Sequence, residues 1–201
     1  MKRKFDFKGQ YTALLSSIDM MFNSAASEEN KKIAGGRSGI VAHDKGYVCI
    51  HLASNRFLHS MDFVKSILPK DVNNKYKFLD VGCGVGHKVF LAHTLLNFQA
   101  FGLDLRKLFV KRAEILCDSL LGRNQANFIH CNAFDYTDFG LYDVIYFYSP
   151  IADRQLESKL EQKIATEAKK GAIVVGYLSE FFCHDNENWE RLHNEIWKKI
   201  A

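Results

Sequence analysis

The chain of 201 residues contains only two prolines, Pro69 and Pro150, and shows no internal repeat or low-complexity tract. A proline-rich linker and a repeat architecture are therefore excluded. A strong excess of one charge is also missing, because 27 Lys and Arg stand against 23 Asp and Glu and leave a formal net charge of +4. That balance falls short of a dedicated nucleic-acid-binding protein, so a nucleic-acid partner has only weak support.

The five cysteines form no C-x-x-C pair, and the eight histidines show no ligand spacing such as H-E-x-x-H. The sequence thus predicts no metal site and no disulfide framework. Scattered cysteines of odd number are typical of reduced thiols that pack as small apolar side chains, which predicts a cytoplasmic protein. No apolar run approaches the roughly 18 residues that cross a bilayer, so we expect no membrane partner.

The sequence pattern changes near Pro69. After it, short β-rich runs alternate with helical periodicity, which predicts a parallel sheet with crossover helices. The unbroken run Tyr142–Tyr148 predicts a central strand covered on both faces. The remaining predicted strands are Lys77–Val81, Phe101–Leu105, Asn127–Cys131 and Ala172–Tyr177, and the predicted helices are His87–Leu96, Arg106–Leu121 and Asp153–Lys170, the last one stopped by Gly171.

The two ends of the chain are less regular. We expect residues 1–68 to form an N-terminal helical and hairpin cap segment within the same domain as residues 69–201. The last stretch, Trp189–Ile200, fits both a helix and a strand, and its periodicity does not decide between them. In the cap we predict helices over Thr12–Phe22 and Asn55–Leu68, a flexible glycine loop and candidate lid at Gly35–Gly39, and a hairpin of Ile40–His43 with Tyr47–His51.

The most informative segment is the glycine-rich stretch from Phe78 to Gly86, with the sequence FLDVGCGVG. A buried strand leads into a glycine turn that opens a helix, so backbone N–H groups become available to a ligand. The spacing is G-x-G-x-G, whereas the dinucleotide fingerprint G-x-G-x-x-G would place its third glycine at His87. An acid, Asp80, precedes the first glycine, Gly82, by two residues.

This motif resembles the first motif of the class I S-adenosylmethionine-dependent methyltransferases. The resemblance covers roughly residues 78–177 and implies a Rossmann-like, doubly wound, mostly parallel α/β sheet with S-adenosylmethionine as cofactor. In that family an acid at the tip of the second strand binds both ribose hydroxyls, a position that Asp104 matches. Where the family usually has Gly-Asp beside the adenine, this chain has Cys131 and Asn132, and an Asn carbonyl can accept the same hydrogen bond.

The tip of the fourth strand, Tyr148-Ser149-Pro150-Ile151, occupies the place of the family's catalytic motif. Nucleobase amino-methyltransferases often have Asn or Asp where Tyr148 stands and an aromatic residue where Ile151 stands, so methylation of DNA bases is not predicted. His87 follows the glycine turn and is a candidate for contact with the methionine end of the cofactor. The resemblance gives Tyr148 and Ser149 as candidate catalytic residues and, as cofactor-binding residues, Asp80, Gly82, Cys83, Gly84, Gly86, Asp104, Leu105, Asn132 and Ala133.

A purely structural role stays open for several of these residues. Asp104 can cap the following helix, Asp80 can bond to amides of the turn, Asn132 can serve as a turn residue and Tyr148 can belong to the core. The function we expect is methyl transfer by in-line displacement to a protein side chain or a small molecule. Two alternatives remain, a non-catalytic module that binds the cofactor or a partner, and an NAD-dependent oxidoreductase, which the glycine spacing disfavours.

Overall fold

The computed structural model describes residues 7–33, 49, 52–69, 75–179, 181–182 and 187–201. Within these residues, seven strands form one sheet in the order β3-β2-β1-β4-β5-β7-β6. The strands are β1 Lys77–Val81, β2 Gln99–Asp104, β3 Asn127–His130, β4 Val144–Tyr148, β5 Ile173–Tyr177, β6 Trp189–His193 and β7 Ile196–Lys199, and the helices are α1 Phe7–Ile33, α2 Ser54–Ile67, α3 His87–Thr94, α4 Lys107–Leu121 and α5 Arg154–Glu167.

The first five strands pair in parallel, and β7 and β6 extend the sheet in antiparallel pairing. The predicted doubly wound, mostly parallel sheet is therefore confirmed. The chain winds outward from β1 to β3 on one side and then returns to place β4 on the other side of β1. This reversal opens a crevice at the carboxyl ends of β1 and β4, the position where such sheets bind ligands.

Two buried apolar clusters cover the two faces of the sheet. One joins the sheet to α1, α2, α3 and α4, and the other joins it to α5 and the C-terminal strands. Successive residues of β4 alternate between the clusters, with Tyr146 in the first and Phe147 in the second. The prediction that this strand is covered on both faces is confirmed, because both side-chain rows of a central strand must leave water.

Helix α1 is much longer than the predicted span Thr12–Phe22. Its continuation buries Ala25, Ala26 and Glu29 against the rest of the protein. The prediction followed large apolar residues, but here small alanines let the helix approach closely, so the periodicity of large side chains ended too soon. Within the parts of the chain that the structure describes, no helix combines the length and apolar composition needed to cross a bilayer.

Helix α5 ends earlier than predicted. It stops at Glu167, because the backbone of Ala168 has left the helical range with a ψ of 143°. Gly171 does not stop the helix and lies instead in the turn before β5, with φ of +84°. The side chain of Ala168 is buried in the core although it is not helical, which explains why apolar periodicity misplaced the end.

The ambiguous C-terminal stretch forms two antiparallel strands. Strand β7 bonds to the edge of β5 through the pairs Ile173 with Lys198 and Val175 with Ile196. An exposed sheet edge offers unpaired N–H and C=O groups, and this long-range pairing selects strand over helix. The predicted glycine loop at Gly35–Gly39 lies outside the described residues, as does the predicted hairpin apart from Cys49, and the boundary after residue 68 stays a prediction.

Candidate functional site

A cavity of about 510 Å³ lies at the carboxyl ends of the parallel strands. That volume falls within the roughly 300–1,000 Å³ of pockets that enclose small ligands. Loops that follow four strands build its walls, so sequence positions far apart meet in one place. The sequence-predicted residues that line it are Asp80, Gly82, Cys83, Gly84, Asp104, Leu105, Asn132, Ala133, Tyr148 and Ser149.

Gly82 lets the turn after β1 lie close to the segment that follows β4. Its backbone has φ of +80°, and a Cβ there would lie 2.6 Å from Cβ of Pro150. Its N–H and that of Cys83 both donate to the carbonyl of Leu103, at 2.8 and 3.0 Å. Any side chain at Gly82 would therefore push the β4 tip away and change the floor of the cavity.

Gly86 does not line the cavity, although the motif includes it among the cofactor-binding residues. Its φ is +85°, and a Cβ there would meet the Phe128 ring at 2.9 Å and Cβ of Ala113 at 3.0 Å. The missing side chain lets the start of α3 pack against β3 and α4. This is the packing role of the third glycine in Rossmann-like turns.

Asp104 stands at the end of β2 with 9% of its surface exposed. One carboxylate oxygen, Oδ2, accepts from the N–H of Gly84 at 2.9 Å, and Oδ1 accepts from the N–H of Arg106 at 2.8 Å. These bonds tie the first turn to the second and fix the direction of the carboxylate. Each oxygen has two lone pairs, so this arrangement still allows acceptance of ligand hydroxyls.

Asn132 forms a turn and lines the cavity at the same time. Its side-chain Oδ1 accepts from the N–H of Phe134 at 3.1 Å, and its main-chain carbonyl accepts from Asp135 and Tyr136. Ala133 and Phe134 follow on the same wall. The turn role that the sequence left open is therefore real, and contact with a base stays a prediction.

The β4 tip carries the two candidate catalytic residues. The ring of Tyr148 meets that of Tyr177 edge-on, with centroids 6.2 Å apart. Ser149 has a backbone φ of +39°, and its Oγ donates to Oε2 of the buried Glu157 at 3.2 Å. A left-handed non-glycine residue is uncommon, and such backbones concentrate at functional sites.

Cys49 and Cys83 line the part of the cavity beside the glycine turn. Burial raises the pKa of the Cys49 thiol to about 12 and that of Cys83 well above its ordinary value, and the negative charges of Asp104 and Asp80 act in the same direction. Both side chains are therefore neutral thiols near pH 7 rather than nucleophilic thiolates. They contribute a weakly polar surface to the pocket.

A buried acid, Asp80, and a buried base, Lys88, also line the cavity. Asp80 and Lys88 are each only 4% exposed. Burial raises the pKa of Asp80 well above its usual range, and the charge of Lys88 opposes that shift. Burial lowers the pKa of Lys88 to about 8, while Asp19 and Asp80 act to raise it.

His87 lies behind the pocket wall and does not line the cavity, so the predicted contact with the methionine end of the cofactor is wrong as to its location. Its ring is fully buried and stacks on Phe22 with centroids 4.8 Å apart. Nε2 lies 3.1 Å from Oγ of Ser54 and 3.3 Å from Oδ1 of Asp19. The ring points toward α1 and α2 because α3 turns it away from the sheet edge.

Sequence reasoning missed Lys88, Arg106 and Glu157. The signal for Lys88 was present but weak, since a lysine directly precedes the apolar run Val89–Ala92 in a helix that the sheet must bury. Glu157 is one of several acids on an amphipathic helix, and nothing local distinguishes it. Among the described residues, no group of three or more His, Cys, Asp or Glu side chains could hold a metal ion.

Residues 72–201 match the family model described as a methyltransferase domain. No curated protein matches the chain in sequence. An RNA methyltransferase from Salinibacter ruber, solved with S-adenosyl-L-homocysteine, superposes with a TM-score of 0.58 at 14% identity, over 75% of this chain and 92% of that one.

Two further solved structures share the fold. YjhP from E. coli superposes with a TM-score of 0.50 at 21% identity, over 62% of this chain and 49% of its own. The geranyl diphosphate C-methyltransferase from Streptomyces coelicolor A3(2) gives a TM-score of 0.51 at 19% identity, over 62% and 43%. This chain thus spans less than half of either protein, and the similarity concerns the sheet and its helices.

Proposed function

The chain belongs to the family of methyltransferase domains, and from this membership we propose that it is an S-adenosylmethionine-dependent methyltransferase. Its acceptor in this proposal is a protein side chain or a small molecule. The observation that carries the proposal is the cavity itself, which brings the glycine turn and Asp104 together at the sheet's switch point. The complex of the Salinibacter ruber enzyme with S-adenosyl-L-homocysteine supports the same cofactor.

The residues present fit this cofactor. Gly82 and Gly84 line the cavity with backbone alone, and a Cβ would collide with Pro150 at Gly82 and with Sγ of Cys49 at Gly84. Asp104 would accept the ribose hydroxyls. Leu105, with Asn132 and Ala133 on the adjoining wall, would hold the adenine, and the polar end of the cavity near Asp80 would hold the amino-acid part.

The bound cofactor supplies an electrophilic methyl group, and the protein contributes alignment of the acceptor and exclusion of water. Tyr148 presents an aromatic ring to the cavity, a surface suited to a positively charged sulfonium. Ser149 is held in its left-handed conformation with its Oγ bonded to Glu157. A hydroxyl oriented in this way can position the attacking atom of the acceptor.

The compartment we propose is the cytoplasm. Support comes from the thiols of Cys83, Cys117 and Cys131, which form no disulfide bond. Unpaired thiols are typical of reducing compartments. Fractionation of cells that express the chain with a small C-terminal tag tests the assignment, and recovery with a membrane or secreted fraction would contradict it.

Methyl-labelled S-adenosylmethionine tests the activity. The protein is incubated with a lysate split into protein, small-molecule and nucleic-acid fractions, beside an Asp104→Asn control variant. Loss of a charged hydrogen-bond acceptor costs about 1.5–3 kcal/mol, so the control should bind S-adenosylhomocysteine roughly 10- to 150-fold more weakly.

Label that enters the protein or small-molecule fraction with the parent chain, and far less with Asp104→Asn, supports the proposal. Label that enters only nucleic acid keeps the methyltransferase and replaces the acceptor. Cofactor binding without any transfer favours a non-catalytic module, and absence of cofactor binding refutes the proposal altogether.

A further inference from the structure

The buried ammonium of Lys88 has no role in the methyl transfer proposed above. Its Nζ donates to the carbonyl of Leu52 and lies 3.2 Å from Nδ1 of His87. It also lies over the face of Phe57, 5.5 Å from the ring centroid. Within the described part of the chain, no carboxylate lies within ion-pair distance of this ammonium, although the side chain lines the cavity.

The hydrogen bonds behind Lys88 identify the two acceptors of its Nζ. Oγ of Ser54 donates its hydrogen to Asp19 at 2.6 Å, so the same oxygen can only accept from Nε2–H of His87. Nδ1 of His87 is then the unprotonated nitrogen and accepts from Lys88. Lys88 thus donates to two uncharged acceptors, and with a pKa of about 8 its side chain is mostly charged at pH 7.

Such an arrangement is costly unless a ligand completes it. A buried ammonium loses its hydration, and neutral acceptors return only part of that free energy. The groups that face Lys88 are Asp19 from α1, Asp80 from β1, Cys49 and His87. Both carboxylates act from beyond contact distance, which leaves the ammonium available to an anion in the cavity.

We propose that Lys88 is an anion-binding residue of this pocket and that its ammonium takes a carboxylate group of the bound ligand. A singly charged carboxylate suits one ammonium in a cavity that also holds the Asp104 carboxylate, whereas a doubly charged phosphate would meet that acid with more repulsion. This inference rests on the proposed function. The carboxylate can belong to the amino-acid part of the cofactor or to the acceptor.

The test compares two probes by calorimetry, S-adenosylhomocysteine, which carries the carboxylate, and 5′-methylthioadenosine, which lacks the amino-acid part. The variant is Lys88→Met, which keeps length and removes charge, and the matched control is Lys163→Met on α5, outside the cavity. Unfolding by urea checks that each variant is folded, and Lys88→Gln replaces Lys88→Met if the latter is not.

If the carboxylate is the cofactor's, Lys88→Met weakens S-adenosylhomocysteine roughly 10- to 150-fold and leaves 5′-methylthioadenosine unchanged. If it is the acceptor's, both affinities stay the same. The carboxyl groups in the small-molecule and protein fractions of a lysate are then converted to methyl esters. This treatment lowers label transfer by the parent chain at least about tenfold, but it causes no further loss of transfer by Lys88→Met.

Equal loss for both probes would show general damage to the pocket and overturn the inference. Unchanged affinities together with unchanged transfer and no effect of esterification would overturn it as well, and would leave Lys88 a purely structural residue. Failure of the proposed function is distinct, because then the parent chain itself binds neither probe. Lys163→Met should match the parent chain in every arm.

Discussion

Substitution of Gly86 by alanine separates the packing role of the glycine turn from its ligand role. The new Cβ would lie 2.9 Å from the Phe128 ring and 3.0 Å from Cβ of Ala113, on the side away from the cavity. Its backbone φ of +85° is also unfavourable for any residue with a side chain. We therefore expect a loss of stability without a loss of ligand affinity.

The size of the effect follows from two terms. A left-handed backbone costs an L-residue about 1–2 kcal/mol. Overpacking of a closed core by one carbon costs about 1–3 kcal/mol, because the ring edge and the helix must shift. Gly86→Ala should thus lower the free energy of unfolding by about 2–5 kcal/mol.

The matched control is Gly171→Ala. Gly171 has φ of +84°, and nothing lies within 4 Å of the position of its Cβ. It carries the backbone term alone and should lose only about 1–2 kcal/mol. The smaller entropy of the unfolded alanine chain affects both variants alike and cancels in the comparison.

Urea unfolding at 25 °C measures the two losses, and calorimetry with S-adenosylhomocysteine measures affinity under folding conditions. Equal destabilisation of the two variants would refute the packing argument. A tenfold or larger drop in the affinity of folded Gly86→Ala would show that Gly86 contacts the cofactor, as the motif implied.

Three further changes test other parts of the structure. Because burial lowers the pKa of Lys88 from 10.5 to about 8, the unfolded chain binds more protons than the folded chain between these pH values. From pH 8 to 10.5 the free energy of unfolding of the parent chain should therefore rise by up to about 3 kcal/mol relative to Lys88→Met, and a constant difference in urea unfolding would contradict this. Asp153→Ala removes the side chain that accepts from the N–H groups of Gln155 and Leu156, and thermal unfolding should report a loss of about 1 kcal/mol; no loss would mean that the α5 cap is not formed. Trp197→Ala should cost about 3–5 kcal/mol in chemical unfolding, since its buried ring packs 5.5 Å from Phe182, and a cost below about 1 kcal/mol would argue against a C-terminal hairpin built into the core.

Local spacing determined where the cavity lies. The glycine turn after β1 and the acid at the end of β2 could be found from the sequence, because both functions depend on a few neighbouring residues. The register then places Asp104 beside the first turn, where its Oδ2 meets the N–H of Gly84. Parallel strands end at one edge, so a local motif on each strand becomes a shared site without further information.

The burial and the contacts of individual side chains could not be predicted from these local motifs. His87 and Lys88 look alike in the sequence as two basic residues that open a helix, yet one faces α1 and α2 while the other faces the cavity. The same holds for Gly86, whose neighbours come from β3 and α4. These roles depend on contacts between residues far apart in the chain.

The sequence by itself determined the parallel sheet, the glycine turn and the edge of the sheet at which a ligand binds, since periodicity and turn chemistry act over a few residues. Only the tertiary structure decided that the C-terminal stretch forms β6 and β7, that α1 continues past Phe22, and that a charged lysine lies in the pocket wall. The physical reason is that backbone pairing at a sheet edge and desolvation of a charge are set by whatever packs against a residue, and those neighbours come from distant segments.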